Sequence, residues 1–192
     1  MNVLIIPEDF RKDQYMLKPI IEAMMNSAGR RQAKVKICRD PLLGGYTEAV
    51  KVENIRKIIT KYVGMIDLFL LCVDRDGVES RQQLLNQREE FASTILPLGR
   101  TLFAENAWQE IEGWVLAGYE DLPSEWQWSE IRVERDPKEN YFYPFARQKG
   151  VLNGPGEGRK ALAEDAARRY SRIRQLCPEV RSLETRIRDW LA

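Results

Sequence analysis

Residues Ile66 to Val73 read IDLFLLCV, and the chain leaves this run through Asp74-Arg75-Asp76-Gly77. A run this apolar, of strand length and broken only by Asp67 near its start, predicts a central strand covered on both faces. Cover on both faces is the habit of parallel sheets, and parallel strands need helical crossovers between them. The sequence supplies both. Val3 to Ile6 is a second apolar run, closed by Pro7, and Ala33 to Cys38 alternates around Val35 and Ile37. Thr101 to Ala104 is a short fourth strand. Between them, Asp13 to Ser27 carries Met16, Leu17, Ile20, Ile21, Met24 and Met25 at helical spacing and stops at Gly29. Val52 to Tyr62, Glu79 to Ile95 and Trp108 to Gly118 read as further helices, the last with Ile111, Trp114 and Val115 facing inward.

This alternation predicts an α/β fold over residues 1–119: a compact, mostly parallel four-stranded sheet with helices on both faces. Residues 120–156 break the pattern with Pro123, Pro137, Pro144, Pro155, Trp126 and Trp128, and read as an irregular excursion. Residues 157–192 read as a C-terminal helical appendage, a basic pair over Glu157–Leu176 and Pro178–Leu191 that packs on the core.

Charge is unevenly spread. The whole chain has 30 Lys and Arg against 29 Asp and Glu, which argues against a globally basic nucleic-acid binder. From Arg147 onward, however, there are 11 Lys and Arg against 6 Asp and Glu. The chain has no histidine, which removes Ser-His-Asp and Cys-His catalysis and histidine-ligated zinc or iron. Cys38, Cys72 and Cys177 are too scattered for a disulfide framework or a Cys-x-x-Cys metal site, and fit reduced thiols in the cytoplasm. The opening Asn2–Ile6 run is too short for a signal peptide, and no apolar run reaches the ~18 residues of a membrane span. Catalysis, if there is any, falls to carboxylates, Lys, Arg and a hard cation.

The acids stand where such chemistry would sit. In parallel sheets ligands bind beyond the carboxyl ends of the strands. Glu8 follows the first strand, and Asp74 and Asp76 follow the third, with Gly77 free to turn the chain. Carboxylates converging there repel one another unless a cation neutralises them, and Mg2+ or Mn2+ suits an all-oxygen site. The bland alternative is that Asp and Gly are simply favoured in turns and caps. Glu105 stands near the end of the fourth strand, as a fourth acid or as an exposed helix-start residue. Glu112 is a candidate of second rank, and Glu110 reads as solvated.

A glutamate after the first strand and Asp-x-Asp after the third resemble the Toprim domain of topoisomerases, primases, recombination mediators and overcoming-lysogenization-defect nucleases. More specifically, the chain resembles a small stand-alone Toprim-like family of unknown function, often met beside ATPases in bacterial defence-type gene clusters. The segments that carry the resemblance are Glu8 with the following helix, LFLLCVDRDG at 68–77, AENAWQEIEGWVLAG at 104–118 and CPEVRSLETRI at 177–187. The resemblance implies a Mg2+- or Mn2+-dependent phosphodiester-cleaving site. Glu8 would be general base or metal ligand, Asp74 and Asp76 would hold the cation, and Glu112 would join the catalytic set. Toprim-type sequences commonly place glycine directly after the glutamate and an acid four residues on. Here Asp9 follows Glu8, and Asp13 stands five residues on.

Other positions are candidates for holding a substrate. Gly154-Pro155-Gly156-Glu157-Gly158-Arg159-Lys160 opens a helix and lacks the spacing of a Walker A loop, so it reads as a linker before it reads as a phosphate cradle. Lys149 and Lys160 are both candidates for steadying a phosphate or transition-state charge, and Lys160 joins the catalytic set. Arg159, Arg168, Arg169 and Arg172 are candidate contacts to a nucleic-acid backbone, set against an ordinary solvated helix face. Trp108, Trp114 and Trp190 read as core; Trp126 and Trp128 stack on a base, tether their loop to the body or meet a partner protein. The expected function is a nuclease, acting on DNA ahead of RNA and with no membrane attachment. The alternative, favoured by the altered glutamate loop, is a catalytically silent Toprim-like subunit docked on an ATPase or larger complex.

Overall fold

Every pairing in the sheet is parallel, and the strand order is β2-β1-β3-β4. A computed structural model describes all residues from Met1 to Ala192. The strands are β1 (Asn2–Pro7), β2 (Lys34–Ile37), β3 (Leu68–Asp74) and β4 (Thr101–Ala107). Residues Leu68 to Val73 of β3 are all buried, which is why that run is apolar throughout rather than alternating.

The crossovers take opposite faces. Helix α1 (Phe10–Ser27) returns the chain from β1 to β2, and its Met16, Leu17, Ile20, Ile21, Met24 and Met25 pack on Val3, Ile5, Leu68, Leu70 and Cys72. Helices α2 (Tyr46–Ala49), α3 (Val52–Tyr62) and α4 (Arg81–Ile95) lie on the other face. There Ile55, Ile58, Leu85 and Ala92 meet Leu4, Ile6, Phe69, Leu71 and Val73. The chain runs outward from β1 to β2 and then crosses back to β3, so the strand order reverses between β1 and β3. The carboxyl ends of those two strands form the crevice where such sheets take ligands.

The remaining helices are α5 (Glu112–Ala117), α6 (Trp128–Val133), α7 (Tyr143–Gln148), α8 (Arg159–Arg168), α9 (Tyr170–Leu176) and α10 (Pro178–Leu191). A π-helical turn over Lys138–Phe142 leads into α7. The structure bears on the sequence expectations for the second half of the chain. Residues 120–156 are folded, with Ile131, Phe142, Phe145 and Ala146 buried in the same cluster as β1 and α1. Trp126 packs edge-on against Tyr141 at 5.0 Å and so tethers this segment instead of offering a base platform. The C-terminal helices pack on the core, as expected, where Leu162, Ala166, Ile173, Val180, Leu183 and Ile187 join that cluster. The helix expected over Glu157–Leu176 breaks at Arg169, whose backbone leaves helical geometry (φ −109°, ψ 37°). No helix is long and apolar enough to cross a membrane.

Candidate metal centre

The glutamate loop is built by helix capping. Asp9 is the N-cap of α1, and its side chain accepts from Arg11 N–H at 2.9 Å. Asp13, one turn into the helix, reaches back to accept from Asp9 N–H at 3.0 Å, and this holds its carboxylate inside. Burial, with Glu112, Glu8 and Asp9 nearby, pushes the Asp13 carboxyl up to about 7 despite that hydrogen bond. Glu8 is partly buried and accepts from Asp74 N–H through Oε2 at 3.3 Å. Burial raises its pKa, the Asp74 hydrogen bond opposes the rise and Asp76 adds to it.

β3 delivers the next two acids. Its exit is clamped to the β4 side: Arg75 N–H and Asp76 N–H both donate to Gln109 O, at 2.8 and 3.1 Å. Asp76 and Gly77 then take left-handed backbone angles, φ 47° and 69°. The positive φ at Gly77 is what favours glycine there; a Cβ would also come within 3.0 Å of the Arg135 guanidinium, an exposed side chain that can shift. Asp74 Oδ1 accepts from Ile111 N–H at 2.8 Å, which leaves Oδ2 for a ligand. Burial and then the charges of Glu112, Glu8 and Asp13 raise the Asp74 pKa well above the carboxylate range.

β4 brings the third group. It runs to Ala107, three residues beyond the expected end at Ala104, and pairs Ala107 with Asp74. The following loop therefore passes directly over the end of β3. Glu110, expected to be solvated, is buried there. Its carboxylate accepts from Lys138 N–H at 2.9 Å and pairs with Lys138 Nζ at 3.1 Å. Burial still raises its pKa. Single carboxylate oxygens of Asp74, Asp76 and Glu110 lie within 4.8 Å of one another. Glu8, expected as a third ligand beside the two aspartates, is engaged instead by the Asp74 amide at the rim of this group.

The donor set fits a hard divalent cation. An octahedral shell at ~2.1 Å places adjacent oxygens about 3 Å apart and opposite ones about 4.2 Å apart, slightly tighter than the observed spread. Two cations stand at the same place. Arg81 Nη1 pairs with Asp76 Oδ2 at 2.8 Å, and its guanidinium lies 3.9 Å from the centre of the Tyr46 ring. Lys138 holds Glu110 as above. Glu8, Asp13 and Asp74 have no ion-pair partner, so the cluster carries more acids than fixed cations.

The other sequence candidates fall away from this group. Glu112 is buried, and Arg159 Nε donates to it at 3.0 Å in a closed pair. Arg159, expected to meet a phosphate, is itself buried and also binds Glu157 at 2.8 Å and the Tyr143 hydroxyl at 3.3 Å, so no donor is free. Lys160 makes no ion pair with these acids and lines a surface groove with Tyr15, Lys18 and Arg39. Arg169 Nε donates to Gly118 O at 2.7 Å, with its Nη2 on Asp165. Arg172 Nε donates to Tyr119 O at 3.3 Å. Both are tethers between helices, and of the four expected phosphate contacts Arg168 alone stands exposed and unpaired. Lys149 is paired with Asp121 at 2.5 Å. Glu105 turns to the α10 side, 3.1 Å from Arg186, with burial raising its carboxyl to about 7. Trp108, expected in the core, is 40% exposed beneath the Arg75 guanidinium at 4.0 Å.

No protein-family model matches the chain, no curated protein matches it, and no solved structure matches it.

Proposed function

We propose that this protein is a Toprim-type, Mg2+- or Mn2+-dependent phosphodiesterase acting on nucleic acid. One observation carries the reading: the carboxylates of Asp74, Asp76 and Glu110 gather within 4.8 Å at the carboxyl end of β3, with Glu8 and Asp13 close by and Glu8, Asp13 and Asp74 outside any ion pair. Asp74, Asp76 and Glu110 would hold the cation, which when bound supplies positive charge to the phosphate and makes water a better nucleophile. Glu8 is the base. Its raised affinity for protons suits it to take one from the water that attacks phosphorus, while the bond to the leaving oxygen breaks. Arg81 and Lys138, already pressed against the outer carboxylates, offset charge on the phosphate oxygens.

The test is cleavage of single- and double-stranded DNA and RNA with either ion. The reading predicts metal-dependent products, lost in Asp74→Asn. Undiminished cleavage by that variant would overturn it. The Arg81–Asp76 and Lys138–Glu110 pairs favour a second reading, because they satisfy two of the three ligands internally. In that reading the chain is a silent subunit of a larger assembly, an ATPase complex included. It would gain thermal stability from Mn2+ and cleave nothing alone.

A further inference from the structure

The two edges of the sheet are finished differently. Along β4, side chains take up outward backbone groups: Ala104 N–H donates to Glu89 Oε1 at 2.6 Å, and Arg186 Nη2 donates to Ala104 O at 3.1 Å. Strand β2 forms the opposite edge and pairs with β1 alone. Its Lys34 N–H donates to Met1 O at 2.9 Å and its Cys38 N–H to Ile5 O at 2.7 Å. Residues 34, 36 and 38 therefore face β1, and the alternation of a parallel strand turns the N–H and C=O of Val35 and Ile37 outward. No side chain takes them up. They open onto a groove of about 610 Å³ between β2, α1 and α8, where Lys18, Lys36, Arg39 and Lys160 stand against two acids, Glu22 and Glu164.

The edge is also net basic: Lys34, Lys36 and Arg39 stand on or beside β2, and the groove adds Lys18 and Lys160 against Glu22 and Glu164. Lysines on an edge strand oppose pairing with a second copy, because like charges would meet across the new ladder. The same lysines favour an acidic strand. A nucleic-acid backbone has the right charge but offers phosphate acceptors only, so it would leave the Val35 and Ile37 carbonyls unpaired. An extended peptide alternates donors and acceptors at the spacing of the edge and presents every second side chain to the groove.

We propose that the β2 edge docks an extended acidic segment of a partner protein, which adds a fifth strand to the sheet beside β2. The inference does not depend on the metal-centre reading. Its test uses a fluorescent synthetic peptide that alternates Glu with Val and Ile, followed by anisotropy on the full chain. A control peptide carries Lys in place of Glu, and a labelled single-stranded oligonucleotide is run in parallel. The proposal predicts saturable binding of the acidic peptide alone, weakened more than about tenfold by Lys36→Glu through like-charge repulsion. It also predicts slowed amide exchange at Val35 and Ile37 on binding, which needs no variant. Absence of saturable binding would overturn the proposal. So would binding indifferent to Lys36→Glu, or an oligonucleotide that displaces the peptide while the Val35 and Ile37 amides stay unprotected.

Discussion

Two buried carboxylate sites in this protein show opposite electrostatics. Glu184, on α10, is fully buried. Burial alone would push its pKa up, but Arg188, Tyr170 and Ser27 donate to it at 2.8, 2.9 and 3.0 Å, Arg174 lies 2.8 Å away, and the net shift is downward. Asp74 is also buried, yet beyond burial the charges that act on it most are those of Glu112, Glu8 and Asp13, all negative, and its pKa goes up. A buried acid that only builds structure arrives with its cations, as Glu184 and Glu112 do. At the carboxyl end of β3 only Asp76 and Glu110 have cations, Arg81 and Lys138, while Glu8, Asp13 and Asp74 have none. A fold keeps such a cost where function needs it.

The strongest way to break this contrast is to strip a paired acid of its cation. Arg159→Met leaves Glu112 buried and charged, and is expected to lower unfolding free energy by about 3–5 kcal/mol in denaturant titration. Adding Glu112→Gln should recover part of the loss, since it removes the stranded charge. Full stability in Arg159→Met alone would show that Glu112 is not held as a buried ion.

The second prediction uses pH. The Asp13 carboxyl is raised from 3.8 to about 7 in the folded protein. The folded state thus binds its proton more tightly than the unfolded chain does. Its contribution is fully present below the unfolded value and is lost as pH rises through about 7. At ~1.4 kcal/mol per pKa unit the ceiling is about 4 kcal/mol. Asp13→Asn should flatten that part of the pH 4–7 stability profile, and an unchanged profile would count against the crowding of charge at the site.

The smallest effect sharpens the contrast from the other side. Asp74→Asn keeps an oxygen for Ile111 N–H and removes one of the crowded charges. Without divalent ions it should be neutral or stabilising, by about 1 kcal/mol at neutral pH. Glu184→Gln should be destabilising by about 1–3 kcal/mol, because it weakens hydrogen bonds to charged donors. Both are read as shifts in the denaturant midpoint.

Much of the architecture was legible in the sequence for a simple reason. Parallel strands covered on both faces must be apolar throughout, and their crossovers must be amphipathic, so IDLFLLCV and the α1 spacing are direct imprints of the fold. The positions of Glu8, Asp74 and Asp76 followed from strand ends. Glu110 did not, because β4 continues through Glu105 and Asn106, two buried polar residues that interrupt the apolar run. Ending the strand at Ala104 placed Glu110 on a helix that begins only at Glu112. Lys138 was hidden by distance: its place depends on how residues 120–156 fold back, and no local pattern encodes that. Arg159 and Arg169 looked like a phosphate surface because sequence shows charge without showing its partner.

The most direct test of the cation site is Mn2+ binding, followed by the loss of the free-ion electron paramagnetic resonance signal. It is made on the wild-type chain, Asp74→Asn and Glu184→Gln. The cluster at the carboxyl end of β3 predicts saturable binding that Asp74→Asn abolishes and Glu184→Gln leaves intact. Equal binding by all three proteins, or by none, would contradict it.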